Sequence, residues 1–91
     1  MKHRFVAQPK FWRNYRKLPR SQQESAKKAW QIFKVDPFDP RLRTHRINSL
    51  TAVFKRTIHA AVIDADLCVV FYIEGETVVT VNIGSHDIYK T

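Results

Sequence analysis

The sequence predicts an α+β fold: two N-terminal helices packed on one face of a small antiparallel β-sheet. Three observations carry that expectation. Residues 21–35 place Ala26, Ala29, Trp30 and Phe33 at i, i+3, i+4 and i+7, which is one stripe of a helix. Asp36-Pro37-Phe38-Asp39-Pro40 then stops the helix, because two prolines forbid its continuation. Beyond residue 53 the chain turns to β-branched runs joined by short turn-like pieces.

In chain order, His3 to Ala7 reads as a short first strand. Pro9 suits the first turn of a helix, where its missing N–H costs nothing. Phe11, Tyr15 and Leu18 follow at i, i+4 and i+7, so a short amphipathic helix ends before Pro19. Ser21 and Glu24 have the spacing of a capping box for the second helix. Lys27, Lys28 and Lys34 lie off its stripe and face water. Residues 41–50 fit a loop or a strand equally. Val53 to Ile63 reads as a strand, Leu67 to Ile73 as a strand covered on both faces, and Thr77 to Ile83 as the last. Asp64-Ala65 and Glu74-Gly75-Glu76 would turn these into an antiparallel meander.

Ninety-one residues leave room for one domain, residues 1–91, with 44% hydrophobic residues to fill its core. Cys68 is the only cysteine, which excludes an internal disulfide and fits a reducing compartment. Leu67 to Ile73 is too short an apolar run to span a bilayer, and no signal-like stretch follows Met1-Lys2-His3-Arg4. A soluble, cytoplasmic domain is the expectation. Sixteen Lys and Arg against eight Asp and Glu give a net +8, and the charge is unevenly placed. Residues 1–56 hold fifteen of the bases and three acids, whereas residues 57–91 hold Lys90 and five acids. Such a basic half favours a polyanionic partner: nucleic acid, an anionic membrane face or an acidic protein.

Candidate chemistry centres on histidines. If Phe54, Ile58, Ala60 and Val62 share the helix-facing side of their strand, Lys55, Thr57 and His59 lie on the open side. Arg56 breaks that parity, as a bulge or strand end would. His45 sits in Arg41-Leu42-Arg43-Thr44-His45-Arg46, among cations that would attract phosphate. His86 follows Gly84-Ser85 in a loop after the last strand. His3 reads as an exposed terminal residue, and Cys68 as a small apolar one. No pair of histidines has metal-hook spacing, so no metal or other cofactor is expected. Histidines on a basic surface suit RNA cleavage by its own 2′-hydroxyl. That reaction needs a base, an acid, and cations around the phosphorus. Simple nucleic-acid binding remains open on the same residues.

Several motifs in fixed order resemble the RelE/ParE superfamily of bacterial type II toxins. They are the Asp-Pro-Phe-Asp-Pro break, Leu42-x-x-His45-x-Ile47, Asp66-Leu67-Cys68-Val69-Val70-Phe71-Tyr72 and Ile83-Gly84-Ser85-His86-Asp87-Ile88-Tyr89-Lys90. The resemblance spans essentially the whole chain, and the histidine set is similar to that of the YafQ branch. It implies a ribosome-dependent mRNA interferase that inhibits translation. His45, His59, Asp66 and His86 would fall at the branch's catalytic positions, and Tyr89 near its terminal aromatic, which positions a base. Arg41, Arg43, Arg46, Lys55 and Arg56 would surround the phosphate. Two positions depart: Cys68 stands where many interferases carry an arginine, and Asn82 where the branch has one. The resemblance also implies a cognate antitoxin, ribosome and mRNA as partners, and operator DNA only through the toxin–antitoxin complex. No membrane role is implied. A ParE-like inhibitor of DNA gyrase and a non-catalytic basic nucleic-acid-binding module are the competing expectations.

Overall fold

A computed structural model describes residues 3–89; Met1, Lys2, Lys90 and Thr91, the ends of the motifs quoted above, lie outside it. The first strand, β1 (Arg4–Ala7), leads into α1 (Pro9–Arg16), which has Pro9 at its start as expected. The second helix, α2 (Arg20–Phe33), starts one residue early. Pro19 precedes it and no side chain caps it, so Ser21 lies inside the helix and the capping box is not made. Proline's fixed φ takes over the task of starting the helix. After α2, the Phe38 N–H donates to Asp36 Oδ1 and the Arg41 N–H to Asp39 Oδ1, each at 2.9 Å. These two Asx turns carry the chain through a 3-10 turn, Pro40–Leu42.

The stretch from 45 to 58 differs most from expectation. A two-residue strand, β2 (His45–Arg46), is followed by a third helix, α3 (Asn48–Phe54). Lys55 takes a left-handed conformation at φ 55° and ends α3. The strand expected over 53–63 therefore shrinks to β3 (His59–Asp64). Leu50, Val53 and Phe54 stand at i, i+3 and i+4, so the same apolar residues that suggested a strand also fit a helical turn. The Thr51 hydroxyl secures the joint by accepting the Ile58 N–H at 2.9 Å. Strands β4 (Leu67–Glu74) and β5 (Thr77–Gly84) complete the meander, with Gly75 at φ +62° in the turn between them.

The sheet order is β1-β5-β4-β3-β2. Strands β2 to β5 pair antiparallel, but β1 runs parallel to β5, so the sheet is mixed and not wholly antiparallel. The Val70–Asn82 and Phe71–Thr80 pairs leave Val81 as an extra residue, a bulge that bends β5. On one face, α1 and α2 cover a large core that includes Ala26, Phe33, Ala61, Leu67, Phe71 and Val78. The other face is not open. There α3 and a 3-10 turn at His86–Tyr89 cover a smaller core of Ile47, Leu50, Ile58, Ala60 and Val70. Ile58 and Ala60 thus point away from α1 and α2, the reverse of the parity expected, because counting from Phe54 ran across the kink at Lys55. No described helix is long and apolar enough to cross a membrane.

Candidate active site

Strand alternation decides which histidines meet. His45 pairs with Ala60, and Arg46 with His59, across β2 and β3. Partners in such a pair share a face, so His45 lies on the α3 side and His59 on the α1/α2 side. The turn after β5 brings His86 and Tyr89 to the α3 side. There the Tyr89 ring meets the His45 ring edge-on at 6.2 Å and the His86 ring edge-on at 5.5 Å. His86 Nδ1 stands 3.3 Å from Asp66 Oδ1, with 48% and 72% of the two side chains exposed, so a substrate reaches both. His45 Nδ1 stands 2.9 Å from the Arg43 carbonyl.

These contacts fix tautomers. A carbonyl or a carboxylate only accepts, so Nδ1 carries the proton in each ring. Nε2 of a neutral ring is then the free lone pair, and in its protonated form the free acid. Arg43 can present its carbonyl this way because its backbone is left-handed, at φ 47°. Tyr89 holds the two rings apart, and Ser49 Oγ donates to the Tyr89 carbonyl at 3.4 Å. The Tyr89 hydroxyl is turned inward, buried without a conventional partner and set against the Cys68 thiol. Burial first, then that thiol, pushes the phenol far above its ordinary pKa. Burial likewise raises Cys68, whose Sγ donates to the Gly84 carbonyl at 3.5 Å. Both groups therefore stay protonated. Cys68 is part of the floor beneath the turn, against the Gly84 and Ser85 carbonyls.

The other expected residues are spread out. His59 is half-buried against Phe71 and Phe38, on the opposite side of the sheet from His86. Its burial, and next the Arg46 charge, hold its pKa below the ordinary value. Arg41 is committed to Asp39 through Nε at 3.0 Å and Nη2 at 2.9 Å, and this keeps the Asp39 carboxyl down at about 2. Arg56 pairs with Glu74 at 2.9 Å and lies 4.3 Å from the centre of the Tyr72 ring. Arg43, Arg46 and Lys55 are exposed and form no ion pair among the described residues. His3 is half-buried beside Phe5, not an exposed end. Asn82 accepts from the Asn14 amide at 2.6 Å and so ties β5 to α1. No three His, Cys, Asp or Glu side chains gather to hold a metal among the described residues.

Sequence reasoning passed over two contributors. Phe38 was read only as part of a helix stop, yet its ring stands 5.0 Å from that of His59 and keeps 46% of its surface exposed. Gly84 was read as loop punctuation, yet a Cβ there would come within 2.9 Å of Ile88 Cγ2, so glycine lets the turn close on the strand. A cavity of about 640 Å³ lies away from His45, His59 and His86. It is an apolar groove on the α1/α2 side, lined by Phe5, Trp12, Tyr15, Trp30 and Phe33 with Lys27 among them.

No family model matches the chain, and no curated protein matches its sequence. Solved structures do match. The arrangement of helices and strands is the toxin fold of RelE and YafQ. YafQ from E. coli superposes with a TM-score of 0.75 over 99% of this chain and 100% of its own, at 8% identity. An archaeal RelE–RelB complex from Pyrococcus horikoshii gives 0.70 over 93% and 96%, at 10% identity. A YoeB/ParE toxin from Agrobacterium tumefaciens gives 0.67 over 91% and 98%, at 13% identity. At such identities the likeness is one of fold.

Proposed function

We propose that this chain is the toxin of a type II toxin–antitoxin pair, acting in the cytoplasm as a ribosome-dependent mRNA endonuclease that needs no metal. The observation that carries the reading is the His45–Tyr89–His86 row, in which each histidine has Nδ1 anchored on an acceptor. One Nε2 takes the proton of the RNA 2′-hydroxyl. The freed oxygen attacks the adjacent phosphorus, and the bond to the 5′-oxygen breaks. The second histidine gives that oxygen its proton, leaving a 2′,3′-cyclic phosphate and a 5′-hydroxyl. Asp66 orients His86 through its contact with Nδ1. Tyr89 is a positioning residue that spaces the two rings. Arg43, beside His45, and Lys55 supply charge to the phosphate. His59, across the sheet, takes no part in the proton transfers.

An antitoxin partner is proposed alongside, since structures of this fold include RelE–RelB and DinJ–YafQ complexes. The groove of Trp12 and Trp30, with Lys27 among its lining residues, suits an amphipathic segment that carries acidic residues. Operator DNA would be bound only by the complex. The test is expression in cells with mRNA ends mapped. Wild type should arrest growth and cut translated messages, and His86→Ala should lower cleavage by about 10²–10⁴-fold. Growth arrest with intact mRNA would overturn the reading. Lost supercoiling in the same cells would then point to gyrase.

A further inference from the structure

On the face of the sheet away from His86, three side chains form a patch that the proposed cleavage leaves idle. His59 opens β3 and lies tilted against Phe71, with 5.5 Å between ring centres. Phe38 meets His59 edge-on at 5.0 Å and 88°, and keeps 46% of its surface exposed. Its position is firmly set. Pro37 beside it is fully buried, the Phe38 N–H is bonded to Asp36, and the Thr44 hydroxyl donates to the Pro37 carbonyl at 2.6 Å. Arg46 stands directly across from His59, on the same face, exposed and without a carboxylate partner among the described residues. The patch therefore combines a fixed, half-exposed aromatic ring, an imidazole and a free guanidinium.

We infer that Phe38, His59 and Arg46 form a nucleotide-binding subsite for single-stranded RNA, with a base stacked on Phe38 and a phosphate held by Arg46. The inference rests on the reading that this chain acts on RNA, and it adds where a flanking nucleotide sits. His45 and Arg46 are the two residues of the edge strand β2, so their side chains leave it toward opposite faces. An RNA strand that passes round this edge touches the cleavage side through His45 and the subsite through Arg46. Stacking tolerates any base, because each has a π-face. His59, neutral near pH 7 for the reasons given above, has one donor and one acceptor for a base edge.

The experiment is fluorescence anisotropy of a labelled, unstructured 2′-O-methyl RNA oligonucleotide, which lacks the attacking hydroxyl, with the full chain. Phe38→Ala should weaken binding about tenfold and Phe38→Tyr should restore it. Arg46→Gln should lower the slope of log affinity against log salt by about 0.7. Equal affinity and equal slope in Phe38→Ala and Arg46→Gln would overturn the subsite, as would a wild type that binds no RNA. Tighter, Phe38-dependent binding of a polyglutamate peptide would overturn it too, in favour of a protein-docking patch. The two proposals fail separately. A wild type that binds through Phe38 but leaves translated mRNA intact removes the cleavage and keeps the subsite; a wild type that cleaves with unchanged KM in Phe38→Ala does the reverse.

Discussion

The two faces of the sheet are built to different standards. Under α1 and α2, a helix of fourteen residues and one of eight press Phe33 and their half-buried aromatics onto Phe71, Val69 and Val78. On the opposite side, a seven-residue helix and a four-residue turn cover Ile58, Ala60 and Val70, and α3 itself fully buries only Leu50. Val53 and Phe54 of that helix are left 58% and 41% exposed. The thick side holds the fold, and the thin side carries the histidine row. A site on light, short elements can adjust to a bulky polymer without disturbing the main core.

The largest test of this contrast compares two truncations. Phe71→Ala, fully buried on the thick side, should cost about 3–5 kcal/mol in denaturant unfolding. Leu50→Ala, on the thin side, should cost about 2 kcal/mol, because α3 can settle into the space. Equal losses would break the comparison. A smaller effect sharpens it: Gly84→Ala puts a methyl against Ile88 and displaces the His86–Tyr89 turn. It should lower stability by only about 1 kcal/mol. Cleavage should fall much further than that loss of folded protein explains, as seen by pairing a melting curve with a cleavage assay. The smallest effect is one of pH. His59 has a lowered pKa when folded, so below about its ordinary 6.5 the unfolded chain takes up the proton first. Stability should therefore decline as pH falls through that value toward the lower folded pKa. His59→Gln should flatten this part of the profile.

Much of the thick side was legible from the residues in order. The stripe of α2, the proline stop and the three central strands are local patterns, and local patterns survive folding. The resemblance in motif order also pointed to the right fold. The thin side was harder for definite reasons. Leu50 to Phe54 satisfies helical and extended patterns alike, and the left-handed Lys55 that separates α3 from β3 has no glycine to announce it. Losing that break reversed the apparent face of His59, whose grouping with His86 came from the resemblance. The parallel pairing of β1 was invisible because it depends on a partner far along the chain, with no local trace in residues 4–7. Of the site, the His86–Asp66 and His45–Tyr89 proximities arise from the turn after β5, which spacing alone does not describe.

That parallel pairing has a consequence for how the molecule is made. Arg4 lies beside Thr77, 73 positions later in the sequence. While the chain is being synthesised, β1 must wait until β5 has emerged, and the sheet cannot complete itself before then. The residues of the histidine row come late as well, since Asp66, His86 and Tyr89 all lie in the second half. A nascent chain can therefore bring its helices together early, but it cannot assemble the site until nearly all of these residues are out. For a protein proposed to cut mRNA on ribosomes, that order keeps the growing chain inert beside the machine that is making it.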